Sequence, residues 1–331
     1  MIENSLEGSR IVVTGGSGFL ASALIARLAQ VKCRILRVVR PASPAPAHPS
    51  GPASCELLRG DVRERAFCDA ALAGADYVFH FAAQTSAYQA ERDPVADAYA
   101  NVQPMRNLVE AGRDRGMRPF IFFSGSATQC GIPEGPQVIE SLPDRPVTAY
   151  DRHKLEAEGL LEEGVRRGWV RGTTLRLANV YGPGAVRASA DRGILDQMMQ
   201  RALRGEALTL YGEGNQLRDY LHVSDAVDAF LAAAACAVQT DGRHFVLGTG
   251  EGRSFADAFS MIAQRAERLT GRKVAVVRIP RPTGQSPIEE RSAAVNPARF
   301  RMATGWTPRI AFPEGVDLTL RALWARSEEA A

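Results

Sequence analysis

The chain predicts an α/β fold: a doubly wound parallel sheet with a smaller C-terminal lobe over the sheet's carboxyl edge. Three observations predict it. A glycine-rich turn, Thr14-Gly15-Gly16-Ser17-Gly18-Phe19-Leu20-Ala21, sits between a strand pattern and a helical one. Short apolar runs then alternate with helical patterns, the signature of βαβ units. Past Gly182 that regularity fades, and Pro and Gly recur at 182–184, 280–287 and 305–315. The expected division is a sheet domain over 1–180, with 218–250 returning to it, and a second lobe from 181–217 and 251–331.

The elements follow in order. Arg10-Ile11-Val12-Val13 reads as a buried strand, because β-branched residues fit a parallel sheet covered on both faces. Ala23-Leu24-Ile25-Ala26-Arg27-Leu28 reads as the helix after the turn. Further strands are expected at Arg34–Val39, at a segment ending Leu57-Leu58-Arg59-Gly60, at Asp76–Phe81 and at Pro119–Phe123. One helix is expected over Ala98–Arg115, and another carries Tyr150 to Lys154. Residues 41–52 hold five prolines. These fix φ and remove donors, so the segment is an extended surface loop. The alanine-rich run Phe230–Val238 is a packed helix, too short to cross a bilayer. There are no internal repeats.

Composition excludes several classes. Apolar residues make up 45% and charged residues 23%, as in a globular domain. The net charge of +3 is spread along the chain, which argues against nucleic acid as a partner. Met1-Ile2-Glu3-Asn4-Ser5 lacks a hydrophobic signal core, and no segment reads as a membrane anchor. Cys33, Cys55, Cys68, Cys130 and Cys236 include no C-x-x-C pair; an odd, scattered set reads as reduced thiols in a cytoplasmic protein. The five histidines show no metal-ligand spacing, so no metal is expected.

The glycine turn is the feature that implies a ligand. Gly15 and Gly18 let backbone N–H groups approach a diphosphate at a helix N-terminus, with Ser17, Phe19 and Leu20 beside it, as in Rossmann-type dinucleotide sites. The third position of the spacing is Ala21, still small enough for helix to pack on strand. The second strand ends in Val39-Arg40 rather than in a carboxylate. An acid there would bind the ribose of NAD; Arg40 instead suits a 2′-phosphate, with Ser43 adding a hydroxyl, so the cofactor leans to NADP. NAD bound without the acidic contact is the alternative. Asp61 and Val62 are placed for the adenine edge, and Phe81, Ala82 and Ala83 for close approach of the dinucleotide.

Tyr150 and Lys154 stand at i and i+4, on one helix face. A tyrosine is a poor base at its ordinary pKa of about 10. A nearby ammonium, together with a positive nicotinamide ring, would favour the phenolate and fit it for proton exchange with a substrate hydroxyl. Ser124 and Ser126, after an apolar strand, can hold the reacting oxygen. Downstream come Arg176-Leu177-Ala178-Asn179-Val180-Tyr181-Gly182-Pro183, Arg218-Asp219-Tyr220-Leu221-His222-Val223-Ser224-Asp225, and Thr304-Gly305-Trp306-Thr307-Pro308.

Together these motifs resemble an extended short-chain dehydrogenase/reductase of the NAD-dependent epimerase/dehydratase family, over nearly the whole chain. The resemblance implies catalytic roles for Ser126, Tyr150 and Lys154, with Ser124 lining the same pocket. Asn101 would be a structural and cofactor-side residue. Asn179 would meet the phosphates of a nucleoside-diphosphate sugar, and Arg218 its diphosphate, with Arg281 or Arg291 completing the clamp. Members that eliminate water carry Asp-Glu after the catalytic serine or threonine, and the decarboxylases keep the glutamate. Here Ala127-Thr128 stand in those places, and Ser124-Gly125-Ser126-Ala127-Thr128 looks most like the 4-epimerases. Gln129-Cys130-Gly131 departs from the usual V-Y-G, which implies a changed pocket near the nicotinamide. The expected activity is 4-epimerisation through a transient keto sugar. The alternatives are an NADPH-dependent reductase of a keto-sugar nucleotide or related carbonyl and a non-enzymatic redox-sensing or scaffold protein that keeps the fold. By the same resemblance, a homodimer would form through Ala98–Arg115 and Tyr150–Gly168.

Overall fold

A computed structural model describes residues 3–44, 46–184, 193–281 and 286–329. In chain order, the first half runs β1 (Arg10–Thr14), α1 (Phe19–Leu28), β2 (Arg34–Val39), β3 (Ser54–Arg59), α2 (Arg65–Ala71), β4 (Tyr77–His80), α3 (Ala87–Arg92), α4 (Pro94–Asn101), α5 (Gln103–Arg115), β5 (Phe120–Ser126), β6 (Gln137–Val138) and α6 (Ala149–Arg166). The second half runs β7 (Arg171–Leu177), β8 (Asn179–Tyr181), α7 (Ile194–Leu203), β9 (Leu208–Tyr211), β10 (Leu217–Arg218), β11 (Tyr220–His222), α8 (Val223–Ala235), α9 (Ala237–Thr240), β12 (Arg243–Leu247), β13 (Arg253–Ser254), α10 (Phe255–Thr270), β14 (Val276–Ile279), β15 (Ala294–Val295), α11 (Ala298–Thr304) and α12 (Phe312–Glu329).

Seven strands form one sheet in the order β12-β7-β5-β4-β1-β2-β3, every neighbouring pair parallel. The sheet is doubly wound, and strand alternation shows it. Ile11, Val13, Ile35, Phe79, Phe120 and Phe122 share one core with Leu24, Ile25 and Leu28 of α1 and with the alanines of α8. Their neighbours Val12, Leu36, Val38, Val78, Ile121 and Phe123 share another with α2, α5 and α6. A period of two along each strand buries both faces. A third core joins Leu195, Met198 and Met199 of α7, Leu208 and Leu210 of β9, Phe259 and Ile262 of α10, and Phe312, Val316 and Leu320 of α12.

Three expectations are corrected. The helix expected over Ala98–Arg115 is two helices, α4 and α5, broken at Val102. Pro104 lacks the N–H that would reach Ala100 and stands in the first turn of α5, where that loss costs nothing. The helix expected at Phe230–Val238 begins at Val223, capped by the His222 ring, and ends at Ala235. The strand expected at Asp76–Phe81 is confined to Tyr77–His80. The proline-rich loop lies at the surface as expected, but strand arginines tether it: Arg37 Nη1 donates to the Ala47 carbonyl, and Arg59 Nη1 to those of Pro41 and Ser43.

Two aspartates of the R-D-Y-x-H-V-x-D segment hold later chain in place. Asp219 accepts from the backbone of Thr249, Gly250 and Val295 and from the Thr249 hydroxyl. Asp225 accepts from the amides of Arg309 and Ile310, while Trp306 Nε1 donates to the Asp225 carbonyl. This is why the Thr304-Gly305-Trp306-Thr307-Pro308 segment docks on α8. No helix among the described residues is long and apolar enough to cross a membrane.

Candidate active site

The β1–α1 turn makes a cradle that only glycine fits. Gly15 has φ +66°, and a Cβ there would lie 2.8 Å from the Ala82 nitrogen and from the Phe81 carbonyl carbon. Gly16 donates to the Val38 carbonyl and accepts from Arg37 Nε at 2.8 Å. Arg37 is thus a buttress of the turn that the sequence analysis did not single out. Gly18 caps α1 without any side chain, so Phe19 and Leu20 open a helix whose first N–H groups are left for a ligand. Thr14 Oγ1 accepts from the amides of Phe81 and Ala82, each at 3.1 Å, so its own proton goes to His80 Nδ1 at 2.8 Å. Burial and the Lys154 ammonium hold His80 down at about 3, and the ring stays neutral. Gly15, Gly16 and Gly18 therefore present backbone at the carboxyl end of β1, and the cradle fits a dinucleotide diphosphate. We expect Gly15→Ala to abolish dinucleotide binding and to destabilise the fold by more than about 1 kcal/mol, measured by cofactor titration and urea unfolding.

Around the cradle, Arg40 is exposed at the end of β2. Asp61 is gripped by Arg63 through Nε and Nη2 at 2.6–3.0 Å, and that hydrogen bonding holds its carboxyl below the usual range. The Val62 carbonyl is taken by Asn107 Nδ2 at 3.0 Å. Phe81, Ala82 and Ala83 follow β4 directly.

The second cluster stands at the carboxyl end of β5. Thr148 and Asp151 form a reciprocal cap that starts α6 at Ala149 and sets Tyr150 in its first turn. One turn on, Lys154 is 3% exposed; its Nζ donates to the Ser124 carbonyl at 2.9 Å and lies over the Phe123 ring. Burial pulls this ammonium down to about 8. Burial pushes the Tyr150 phenol well up, and the Asp151 and Asp97 carboxylates add to it. Asn101 Nδ2 and Gln84 Nε2 both donate to Asp97, whose other oxygen is 2.6 Å from His153 Nδ1. Asn101 therefore ties the α4–α5 break to the helix that carries Tyr150 and Lys154, and its own Oδ1 is buried without a partner.

Ser126 ends β5 and caps the short turn Ala127–Cys130. Its amide donates to Gln129 Oε1 at 2.7 Å, and its Oγ is 2.7 Å from Thr128 Oγ1. Thr128 Oγ1 donates in turn to Asp151 Oδ1. Ser124 differs from expectation: its hydroxyl points at the His80 carbonyl at 3.5 Å and lines neither cavity of the site. Cys130 likewise leaves the pocket. Its thiol is buried beside Val138, Val246 and Val295 and donates to the Ala127 carbonyl. Asp151, Gln129 and His153 were legible only as motif positions; a polar side chain two or three residues from a predicted cap was the one available signal.

A cleft of about 630 Å³ opens beside this cluster, lined by Phe19, Tyr88, Asn179, Tyr211, Phe255 and Arg281, among others. A smaller cavity of about 60 Å³ is lined by Ser126 and Thr128. Asn179, Arg218 and Arg291 line both. Arg218 is buried, with its Nη2 on the Glu289 carbonyl at 3.0 Å and its Nη1 on the carbonyl of Arg291. Arg291 Nη2 donates to Asn179 Oδ1 at 3.0 Å, and Arg281 pairs with Glu290 at the rim.

A doubly wound sheet, a glycine cradle at the end of β1 and a Tyr/Lys helix at the end of β5 define a dinucleotide-dependent enzyme of the extended short-chain dehydrogenase type. Residues 11–248 match the NAD dependent epimerase/dehydratase family, and the chain belongs to that family. It is 28% identical to a UDP-glucose 4-epimerase of Mycolicibacterium smegmatis, over 96% of this chain and 100% of that one. Among solved structures it resembles a Thermotoga maritima UDP-glucose 4-epimerase with UDP-glucose (TM-score 0.81, 26% identical, 97% of this chain and 99% of that one). It also resembles a Thermus thermophilus UDP-glucose 4-epimerase in complex with NAD (TM-score 0.78, 27% identical, 95% and 98%).

Proposed function

We propose that the protein is a nucleotide-sugar 4-epimerase working through a transient keto sugar. One observation carries this reading. Asn179, Arg218 and Arg291 belong at once to the large cleft and to the cavity of Ser126, so groups suited to a diphosphate stand next to the groups suited to a reacting hydroxyl. A guanidinium fork donates in parallel to phosphate oxygens, and Arg281 completes the clamp from the rim. The third core supports the substrate-binding lobe, residues 181–217 and 251–331; residues 185–192, 282–285 and 330–331 of it lie outside the described residues.

Gly15, Ser17, Gly18, Phe19 and Leu20 hold the dinucleotide diphosphate, with Asp61 and Val62 at the adenine and Phe81, Ala82, Ala83 and Asn101 along its inner side. Lys154 holds the nicotinamide ribose. When bound, the nicotinamide accepts and returns one hydride. The protein's part is to hold the C4 hydroxyl between Tyr150 and Ser126 and to manage its proton. Ala127 and Thr128 supply no acid or base for elimination, which disfavours a dehydratase.

For the cofactor, Arg40 and Ser43 support NADP over NAD. Hydrogen bonds to a charged phosphate are worth about 1.5–3 kcal/mol. Arg40→Ala should therefore weaken NADP binding roughly tenfold or more and leave NAD binding within about threefold, by fluorescence titration; equal effects on both would assign NAD. All five cysteines are free among the described residues, which favours the cytoplasm. A homodimer would use the face of α4, α5 and α6, where Val95 and Tyr99 are exposed.

The reductase alternative rests on Arg40 as well, and cofactor accounting separates the two. An epimerase converts many equivalents of UDP-glucose per bound nicotinamide. Stoichiometric loss of reduced nicotinamide fluorescence with a keto-sugar nucleotide, and no epimer, would install the reductase instead.

A further inference from the structure

The first turn of α6 leaves backbone N–H groups that its own ladder cannot satisfy. Where their acceptors come from decides what holds the helix. Thr148 and Asp151 serve each other through side chain and backbone. Both belong to the start of α6, so that pair moves with the helix and fixes no position. The Ala149 amide goes elsewhere: it donates to Glu91 Oε1 of α3 at 2.6 Å. A carboxylate that accepts a backbone N–H makes a short, charge-assisted bond. Ala149 is fully buried and directly precedes Tyr150, so a shift of its amide passes to Tyr150 through backbone alone. Asp97 of α4 reaches His153 on the far side of Tyr150, also at 2.6 Å. Two carboxylates from outside α6 thus bracket the residue.

The helix that supplies Glu91 also borders the cleft. Thr85, Ser86, Ala87 and Tyr88, at the start of α3, line the large cavity. Tyr88 is 56% exposed there. Partial burial, with Glu289 and Tyr211 of the same cleft, pushes its phenol up, so the ring faces residues of the lobe. Gln84 stiffens this wall. Its Nε2 donates to the Ser86 carbonyl at 2.9 Å and to Asp97 Oδ1 at 2.7 Å, and its Oε1 accepts from the Ser86 amide. Ser86 Oγ accepts in turn from the Gln89 amide and caps α3. Tyr88 and Glu91 are three residues apart, neighbours on one side of the helix. What displaces one displaces the other.

We propose that Glu91 is a positioning residue for the reaction and that α3 is a tie between ligand and catalytic helix: Tyr88 meets the nucleotide sugar in the cleft, and Glu91 holds the start of α6, so that a filled cleft steadies Tyr150. The inference rests on the epimerase reading. Glu91 takes no part in the chemistry and need not touch the sugar. Its effect is on where Tyr150 stands when hydride moves. A misplacement of about 1 Å can cost roughly 100-fold in rate. Cutting one of two ties, with Asp97–His153 left in place, should cost part of that.

Kinetics and hydrogen exchange test this. Glu91→Ala should lower kcat for UDP-glucose by about tenfold or more with KM within about threefold, assayed well below its unfolding midpoint. Glu91→Gln keeps an oxygen that accepts from the Ala149 amide, and should stay within about threefold of wild type. Exchange at the Ala149 amide needs no turnover. With cofactor bound, saturating UDP-glucose should slow it about threefold or more in wild type. In Glu91→Ala the amide should exchange faster and respond to UDP-glucose by less than about twofold. Tyr88→Ala should match wild type without the sugar nucleotide and lose the response to it. If Glu91→Ala keeps kcat within about threefold, if Glu91→Gln is as slow as Glu91→Ala, or if Tyr88→Ala keeps the full response, the tie is wrong and the epimerase reading stands. A wild-type protein that neither binds nor converts UDP-glucose overturns both.

Discussion

Tyr150→Phe is expected to lower epimerase turnover by about 10²–10⁴-fold, the range of a lost acid–base partner, while leaving the fold untouched. The change removes one oxygen. The helix start does not depend on it, because Thr148 and Asp151 cap α6 reciprocally. The phenol makes no hydrogen bond to the described residues, so the substitution orphans no partner in the protein. What is lost is the proposed acid–base group at the reacting oxygen. The KM for the nucleotide sugar should move little, since the proposed diphosphate clamp of Arg218, Arg281 and Arg291 lies elsewhere. Steady-state kinetics with a thermal unfolding curve checks both halves. Turnover within threefold of wild type would remove Tyr150 from the chemistry.

The largest loss of stability is expected for Arg176→Met, at about 3–5 kcal/mol, because a buried charge is left without its partner. Arg176 and Glu158 are 4% and 2% exposed. The guanidinium reaches Glu158 through Nε and Nη2 at 3.0 and 2.7 Å, and Asp144 through Nη1 and Nη2 at 2.6 and 2.9 Å. Glu158 also accepts from Gln129 Nε2 at 2.8 Å, and Gln129 holds the Ser126 amide. Removing Arg176 therefore unsettles the very turn that presents Ser126, and activity should fall further than unfolded protein alone explains. The double variant Arg176→Met/Glu158→Leu should recover much of the loss. Urea unfolding measures it; a cost under 1 kcal/mol would show that Gln129 and His244, at 2.8 and 3.5 Å from the Glu158 carboxylate, suffice to hold it.

The sheet was legible because its strands announce themselves. Ile11-Val12-Val13 and Phe120-Ile121-Phe122-Phe123 are apolar on both faces, and only a parallel strand covered by helices on each side asks for that. The Gly15 cradle was legible for a related reason: spacing between glycines records where backbone approaches backbone. The break at Val102 was written in Pro104 but masked by the helical pattern on either side of it. The site was half legible. Tyr150, Lys154 and Ser126 stand in recognisable spacings, yet the behaviour of Tyr150 depends on burial and on Asp97, fifty-three positions away in sequence. Cys130 and Ser124 were placed near the ligand by their neighbours in the chain; strand alternation turns Ser124 toward His80, and the short turn Ala127–Cys130 buries the Cys130 thiol among valines. Asp151 stands in plain view between two catalytic candidates, and its contacts with Thr148 and Thr128 emerge only in the fold.

The central claim is that one hydride leaves C4 and returns to the same carbon on its other face. Proton NMR of UDP-glucose incubated with the purified protein in D2O, with NADP or NAD far below stoichiometric, tests it directly. The account predicts a UDP-sugar inverted at C4, with protium retained at that carbon and no net change in the cofactor. Deuterium at C4, or consumption of one cofactor per sugar, would contradict it.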